Sequence, residues 1–156
     1  MLRKRLGAVL ACCFTLGLLL SPTVAQDDTR YKELPNFHRV NDRLYRGAQP
    51  RANGHETLLK LGIKTIINLR DNDARERLEE QKARAAGFNY FNIPVTRLGR
   101  PSDAEIQKIM EIINSPEKQP VFVHCKYGAD RTGVVIGAFR IVHEGWTSDR
   151  AKAEAN

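Results

Sequence analysis

Short apolar runs alternate with amphipathic segments along most of the chain, which is the pattern of strands alternating with helices. Three runs rich in β-branched or aromatic residues predict buried strands: IKTIINLR (63–70), FNYFNIPV (88–95) and PVFVHC (120–125). Segments of helical periodicity lie between and after them: DARERLEEQKARAAG (73–87), SDAEIQKIMEIINS (102–115) and VVIGAFRIVHEGW (134–146). We expect the charged run RERLEEQKAR (75–84) to form a solvated helix face.

Turn and capping residues predict further elements. FHRVNDRLYRGAQP (37–50) alternates around Asn41 and Asp42, which indicates a hairpin. NGHETLLKLG (53–62) predicts a short helix, and Ser102 and Glu105 have the spacing of a capping box. GWTSDRAKAEAN (145–156) looks like the beginning of another helix, so we expect a truncated C-terminus.

This order of elements predicts a single small α/β domain with three layers, a mostly parallel central sheet flanked by helices. The domain is expected to span residues 37–156, after a loose segment at 26–36. Ligands of such sheets bind beyond the carboxyl ends of the strands. Three loops should therefore meet at one edge: RDND (70–73), TRLGRPSD (96–103) and KYGADR (126–131).

The N-terminus has the pattern of a secretory signal peptide. Three basic residues at positions 3–5 precede the apolar run Leu6–Leu20, and small residues end at Ala25. We predict a signal peptide at 1–25, cleavage near Ala25, and a periplasmic or secreted protein without a stable membrane span. The alternative is an uncleaved membrane anchor, although the run is short for a spanning helix.

Cleavage changes the charge and the cysteine content. It lowers the formal charge from +7 to +4, because it removes three basic residues and no acidic ones. This mild charge suits a small acidic substrate as well as nucleic acid, but export argues against a nucleic-acid partner. Cys12 and Cys13 leave with the signal, so Cys125 remains without a partner for an internal disulfide. Three histidines lack metal-ligand spacing, and no metal or other cofactor is expected: His38, His55 and His143.

The segment HCKYGADRTG (124–133) joins the third predicted strand to the apolar helix. Unpaired N–H groups at the start of that helix, together with its dipole, form a cradle for a phosphate-like dianion. The same field should lower the pKa of Cys125 and make it a nucleophilic thiolate at neutral pH. Arg131 returns to the loop with a planar guanidinium that can hold two phosphate oxygens.

The other residues of this segment have supporting roles in the hypothesis. Thr132 is expected to donate its hydroxyl hydrogen to the cysteine sulfur, and His124 to fix the loop by hydrogen bonds. Lys126 suits acidic substrates, including polyphosphorylated ones, or is a solvated surface lysine. The predicted phosphate-binding residues form one continuous run: Lys126, Tyr127, Gly128, Ala129, Asp130 and Arg131.

His124-Cys125, five intervening residues and then Arg131-Thr132 resemble the signature of cysteine-based protein tyrosine phosphatases. The short chain resembles their dual-specificity branch, and the signal peptide with LYRGAQP (44–50) resembles bacterial periplasmic members. The resemblance covers roughly residues 44–146. It implies that Cys125 attacks phosphorus to form a phosphocysteine, which water then hydrolyses, while Arg131 and the loop amides stabilise the developing charge.

The implied substrates are phosphorylated proteins or small phosphorylated molecules, phosphotyrosine first and phosphoserine or phosphothreonine as further candidates. The family supplies an aspartic acid, on the loop after the second strand, to protonate the leaving oxygen. Here that loop, VTRLGRP (95–101), contains no carboxylate. Asp103 is the favoured acid, Asp130 is the alternative, and Asp71 is a third candidate.

Three alternative functions remain open. An inositol-phosphate or phosphoinositide phosphatase would use the same chemistry on another substrate. A sulfurtransferase also uses a cysteine loop at a helix N-terminus, although Arg131-Thr132 favours phosphate. A non-catalytic phosphate-binding module is consistent with the missing loop acid.

Overall fold

The computed structural model describes residues 30–95 and 101–155. The predicted signal peptide and most of the TRLGRPSD loop lie outside the described residues. Among the helices that are described, none combines the length and the apolar character needed to cross a membrane.

The centre of the domain is a five-stranded sheet. Its strands are β1 (His38–Arg39), β2 (Leu44–Ala48), β3 (Thr65–Asn68), β4 (Asn89–Asn92) and β5 (Val121–Cys125). They lie in the order β1-β2-β5-β3-β4. The pairs β2–β5, β5–β3 and β3–β4 are parallel, and β1 pairs antiparallel with β2. The prediction of a mostly parallel sheet is confirmed.

Five α-helices connect or follow the strands. They are α1 (Gly54–Lys60), α2 (Ala74–Ala85), α3 (Asp103–Asn114), α4 (Asp130–Glu144) and α5 (Ser148–Ala155), with a short 3₁₀ helix at Pro116–Lys118. The predicted capping box begins α3, because the Ser102 hydroxyl accepts from the Glu105 N–H while the Glu105 carboxylate accepts from the Ser102 N–H. Local capping signals therefore give the start of this helix correctly.

Each face of the sheet packs against helices, which gives the predicted three layers. On one face, β-strand residues pack with α3 and α4: Leu44, Ile67, Val121, Val123, Ile109, Ile113, Val135 and Phe139. On the other, they pack with α1, α2 and the N-terminal segment: Ile66, Tyr90, Phe122, Leu58, Ala83, Leu34 and Phe37.

The central strand β5 is buried along its whole length and alternates between these two layers. Cys125 belongs to the cluster on the α4 side. The ring of His124 stacks on Phe122, which belongs to the cluster on the opposite side. Two successive residues at the end of β5 thus face different layers of the domain.

Two regions differ from the sequence expectation. The hairpin around Asn41 forms, but its second strand, β2, also pairs in parallel with the whole of β5. The segment expected to be loose is packed where it is described, since Leu34 is fully buried and the Ala48 N–H donates to the Pro35 carbonyl. Leu34 is the physical reason for this packing. It belongs to the core cluster on the side of α1 and α2, and its burial removes it from water.

Candidate active site

The loop between β5 and α4 wraps around the Cys125 sulfur. The Gly128 N–H donates to Sγ at 3.3 Å, and Cys125 is only 3% exposed. Lys126 and Tyr127 are exposed at the surface of the same loop, and Gly128 is buried beneath them. The cysteine therefore lies at the base of the loop, next to the N-terminus of α4.

Hydrogen bonds to the sulfur favour the thiolate form of Cys125. Burial acts to raise the pKa of the thiol, but hydrogen bonds from the Thr132 hydroxyl and from the N–H groups of Thr132, Tyr127 and Gly128 outweigh it and lower the pKa. The Thr132 hydroxyl oxygen is buried and makes no aligned hydrogen bond to any described residue, the sulfur included. Its effect on the pKa of Cys125 comes from its closeness to the sulfur.

Arg131 is tied to the end of the neighbouring strand β3. Its Nη1 donates to the Leu69 carbonyl at 3.2 Å and lies 3.7 Å from Oδ2 of Asp71. The Leu69 N–H in turn donates to the carbonyl of His124 at 2.9 Å. The loops after β3 and β5 therefore meet as predicted, whereas the loop after β4 is largely outside the described residues.

Asn36 and Arg46 bind two backbone carbonyls of the loop, and no sequence pattern predicts the contact of Asn36. Asn36 Nδ2 donates to the Tyr127 carbonyl at 3.1 Å, and Arg46 Nη2 donates to the Gly128 carbonyl at 2.8 Å. In a trans peptide the C=O and the following N–H point in opposite directions. Drawing these carbonyls outward therefore turns the next N–H groups toward the loop centre, where Gly128 N–H meets the sulfur.

The three acid candidates lie in different places. Asp103 is the exposed first residue of α3, and Asp130 is the exposed first residue of α4. Asp71 is 64% exposed and contacts the guanidinium of Arg131. Each carboxylate is accessible to solvent, and the assignment of the acid remains a prediction.

Groups available to a ligand surround the loop mouth. The Lys126 ammonium lies 4.7 Å from the ring centroid of Tyr127, which is 59% exposed. Ala129 and the first residue of α4 complete the run that was predicted to bind phosphate. Within residues 30–95 and 101–155, no group of three or more His, Cys, Asp or Glu side chains is placed to hold a metal ion.

Comparisons with known proteins find phosphatases. The family model described as a DSP-PTPase phosphatase fused to NAD+ kinase matches residues 25–156. The dual specificity protein phosphatase TpbA of Pseudomonas aeruginosa is 32% identical over 120 residues, which is 76% of this chain and 52% of that protein. An inositol diphosphatase of Arabidopsis thaliana is 28% identical over 109 residues, or 67% of this chain and 54% of that protein.

A solved structure has the same fold. The crystal structure of P. aeruginosa TpbA in complex with phosphotyrosine superposes with a TM-score of 0.65 and 28% identity, covering 77% of this chain and 71% of the other. This chain spans about half the length of the curated relatives it matches. Because the family model extends over most of the sequence, the chain belongs to the dual-specificity-like tyrosine phosphatase family that is described as a DSP-PTPase phosphatase fused to NAD+ kinase.

Proposed function

We propose that this protein is an exported phosphatase that hydrolyses phosphate monoesters through a phosphocysteine on Cys125. The observation that carries the proposal is the buried sulfur itself. It accepts the Gly128 N–H at 3.3 Å, its pKa is lowered, and it stands at the N-terminus of α4. Such a sulfur is a nucleophile in a site that also attracts dianions.

In the first proposed step, the Cys125 thiolate attacks phosphorus and the bond to the leaving oxygen breaks. The leaving oxygen takes a proton from Asp103, with Asp130 as the alternative acid. In the second step, water attacks phosphorus and gives a proton to the Asp103 carboxylate, or to Asp130 in the alternative, which restores the acid. The P–S bond breaks, inorganic phosphate forms, and the thiolate departs with the Thr132 hydroxyl stabilising its charge. Arg131 and the loop N–H groups stabilise the charge on the equatorial oxygens in both steps.

Phosphotyrosine is the first proposed substrate, with phosphoserine and phosphothreonine next. The relative solved with phosphotyrosine supports this order. Inositol phosphates or phosphoinositides are the second candidates, favoured by the exposed Lys126 beside the loop and by the inositol diphosphatase relative. An extra cation at the mouth would attract a ring that carries several phosphates.

Export is a separate part of the proposal and rests on the pattern of residues 1–25. Expression in a bacterial host followed by fractionation tests it. The mature protein should be found in the periplasm with its N-terminus near Gln26, and N-terminal sequencing identifies that end. Full-length protein in the membrane fraction would support the uncleaved anchor instead.

The reaction is tested by hydrolysis of a small aryl phosphate by the full-length chain. Activity should be abolished by Cys125→Ser and by vanadate, and strongly reduced by Arg131→Lys, which keeps the charge but loses the planar fork. Turnover that survives Cys125→Ser would exclude the phosphocysteine mechanism. Binding of phosphotyrosine without turnover would indicate the non-catalytic module, and cyanide-dependent thiocyanate formation from thiosulfate would indicate a sulfurtransferase.

A further inference from the structure

The segment before β1 brings Asn36 to the loop between β5 and α4. Its neighbours Leu34 and Phe37 are 0% and 2% exposed, in the core cluster on the side of α1 and α2. The carbonyl of Pro35 accepts a hydrogen bond from the Ala48 N–H at 2.9 Å, which ties the same segment to β2. Asn36 itself is exposed, but its backbone position is fixed, because the chain is packed on both sides of it.

The backbone of Asn36 has a positive φ, which is uncommon for a residue other than glycine. Its φ is 53°, and among the described residues other than glycine Asn53 shares this feature, with a φ of 66°. Asparagine is enriched at such positions, so the conformation alone would account for the residue type. The side chains of the two residues differ, however. Asn53 caps no N–H group of α1, whereas the side chain of Asn36 has a partner at each end.

The side-chain amide of Asn36 joins the loop to β1. Its Nδ2 donates to the Tyr127 carbonyl at 3.1 Å, and its Oδ1 lies 3.0 Å from Nε2 of His38. A backbone carbonyl can only accept a hydrogen bond, so the amide presents its nitrogen to the loop and its oxygen to the ring. Nε2 of His38 then donates to Oδ1. The amide is therefore held at both ends, with its donor directed at the loop.

The carbonyl that Asn36 binds and the N–H that meets the sulfur belong to one planar peptide group, between Tyr127 and Gly128. The Gly128 N–H donates to Cys125 Sγ at 3.3 Å. This peptide group thus accepts a hydrogen bond at its oxygen and donates one at its nitrogen. Hydrogen bonds linked in this way polarise one another, so a donor on the oxygen makes the N–H a better donor to the sulfur.

We propose that Asn36 is a positioning residue for the nucleophile: its amide holds the Tyr127–Gly128 peptide group with the N–H directed at the Cys125 sulfur, and so favours the thiolate. Burial acts to raise the pKa of Cys125, and the Gly128 N–H is among the hydrogen-bond donors that lower it. A misaligned Gly128 N–H should therefore raise that pKa. The inference rests on the proposed function in taking Cys125 as the nucleophile, and Asn36 acts only through this peptide group.

Titratable or charged groups lie on several elements packed around the loop. They are His38 from β1, Arg46 from β2, Asp71 from the loop after β3, His124 from β5, and Lys126, Asp130 and Arg131 from the loop and α4. Replacing Asn36 by glycine adds and removes no charge. A change in the titration of the sulfur would therefore report the lost hydrogen bond and not a lost charge.

The test measures the rate of Cys125 alkylation by iodoacetamide against pH, with mass spectrometry of the peptide that carries Cys125. Asn36→Gly keeps the positive φ without strain and removes the amide. It should raise the midpoint by about half a pH unit, because a hydrogen bond between neutral groups contributes modestly. Asn53→Gly is the matched control. It removes the other asparagine of positive φ, whose side chain caps no N–H group, and it should leave the midpoint unchanged.

An unmoved or lowered midpoint in folded Asn36→Gly, or an equal shift in Asn53→Gly, would overturn the proposal. Thermal melts show whether each variant is folded. If Asn36→Gly does not fold, Asn36→Asp decides, because its carboxylate can still accept from His38 but cannot donate to the Tyr127 carbonyl. At about 1 M salt, where its charge is screened, Asn36→Asp should also raise the midpoint, and no shift would contradict the role of Asn36.

The alkylation assay also separates this inference from the proposed reaction. Alkylation of the sulfur needs no phosphate ester. A raised midpoint in Asn36→Gly, together with a wild-type protein that hydrolyses no phosphate ester, would count against the phosphatase and leave the effect of Asn36 on the sulfur standing.

Discussion

Gly128 packs directly on the backbone of Gly47. A Cβ on Gly128 would lie 2.5 Å from the carbonyl carbon of Gly47 and 2.6 Å from the amide nitrogen of Ala48. Neither atom can move without distorting β2, which pairs with β5 along its whole length. The loop that surrounds the sulfur therefore packs on β2, and its conformation requires glycine at position 128.

Gly128→Ala should consequently inactivate the protein. Its φ of +74° is itself unfavourable for alanine, and the clash displaces the N–H that meets Cys125 Sγ. We expect kcat/KM for an aryl phosphate to fall by at least about 100-fold, the usual effect of losing one preorganised donor. Gly62→Ala is the control, because Gly62 has a φ of +78° but no atom within 4 Å of the added Cβ. It should cost roughly 1–2 kcal/mol of stability and no activity.

Arg46 should matter for phosphate binding rather than for the reactivity of the sulfur. Its guanidinium donates to the Gly128 carbonyl at 2.8 Å from a buried position. Arg46→Met frees that carbonyl to turn inward toward the bound anion. We expect vanadate inhibition to weaken about tenfold, because a hydrogen bond from a charged group contributes about 1.5–3 kcal/mol. Arg39→Met, which removes an exposed arginine paired with Asp42, should leave inhibition unchanged.

Thr132→Val should raise the pKa of Cys125 while preserving volume. The Thr132 hydroxyl is the first of the groups that lower this pKa against the effect of burial. Cys125 is a thiolate above its pKa and a thiol below it, so raising the pKa removes activity from the acidic side of the pH profile first. The acidic limb of the pH profile of kcat/KM should move to higher pH. The midpoint of the pH dependence of Cys125 alkylation by iodoacetamide should move upward with it. An unmoved midpoint would mean that the hydroxyl does not bond the sulfur.

The parts of this site that the sequence predicts are those with local signals. The strand, glycine-containing loop and helix around Cys125 are continuous in the chain, and the Ser102 and Glu105 capping box spans one helical turn. Arg131 was expected at the loop because it follows the cysteine in the same segment, and it now contacts Leu69 and Asp71.

The parts that the sequence does not predict depend on distant contacts. Asn36 and Tyr127 are 91 residues apart, and Arg46 and Gly128 are 82 apart. Glu79 lies in a run so rich in charged residues that the sequence predicts a solvent-facing side chain. In the structure this side chain is buried and contacts His124. The burial of Glu79 depends on which face of α2 packs against the sheet. The run of charged residues has no apolar periodicity that would identify this face.

The acid can be identified by its dependence on the leaving group. An alkyl phosphate needs a proton on the departing oxygen, whereas a nitrophenyl phosphate departs without one. Asp103→Asn should therefore slow an alkyl phosphate by about 100-fold and leave the nitrophenyl ester nearly unchanged. If Asp130→Asn gives this pattern instead, the alternative acid is correct. Asp71→Asn should lower both rates equally, because its carboxylate contacts Arg131.

Glu76 should limit stability at neutral pH. Burial raises its pKa above the ordinary value, so the folded state binds this proton more tightly than the unfolded chain does. That contribution to stability is complete at acidic pH and is lost as the pH rises through the raised pKa. Glu76→Gln removes the titration and keeps an oxygen for the Tyr90 hydroxyl, which donates at 3.2 Å. Thermal melts should show a gain in melting temperature at pH 7 that shrinks toward acidic pH, and a gain that grows toward acidic pH would contradict the assignment.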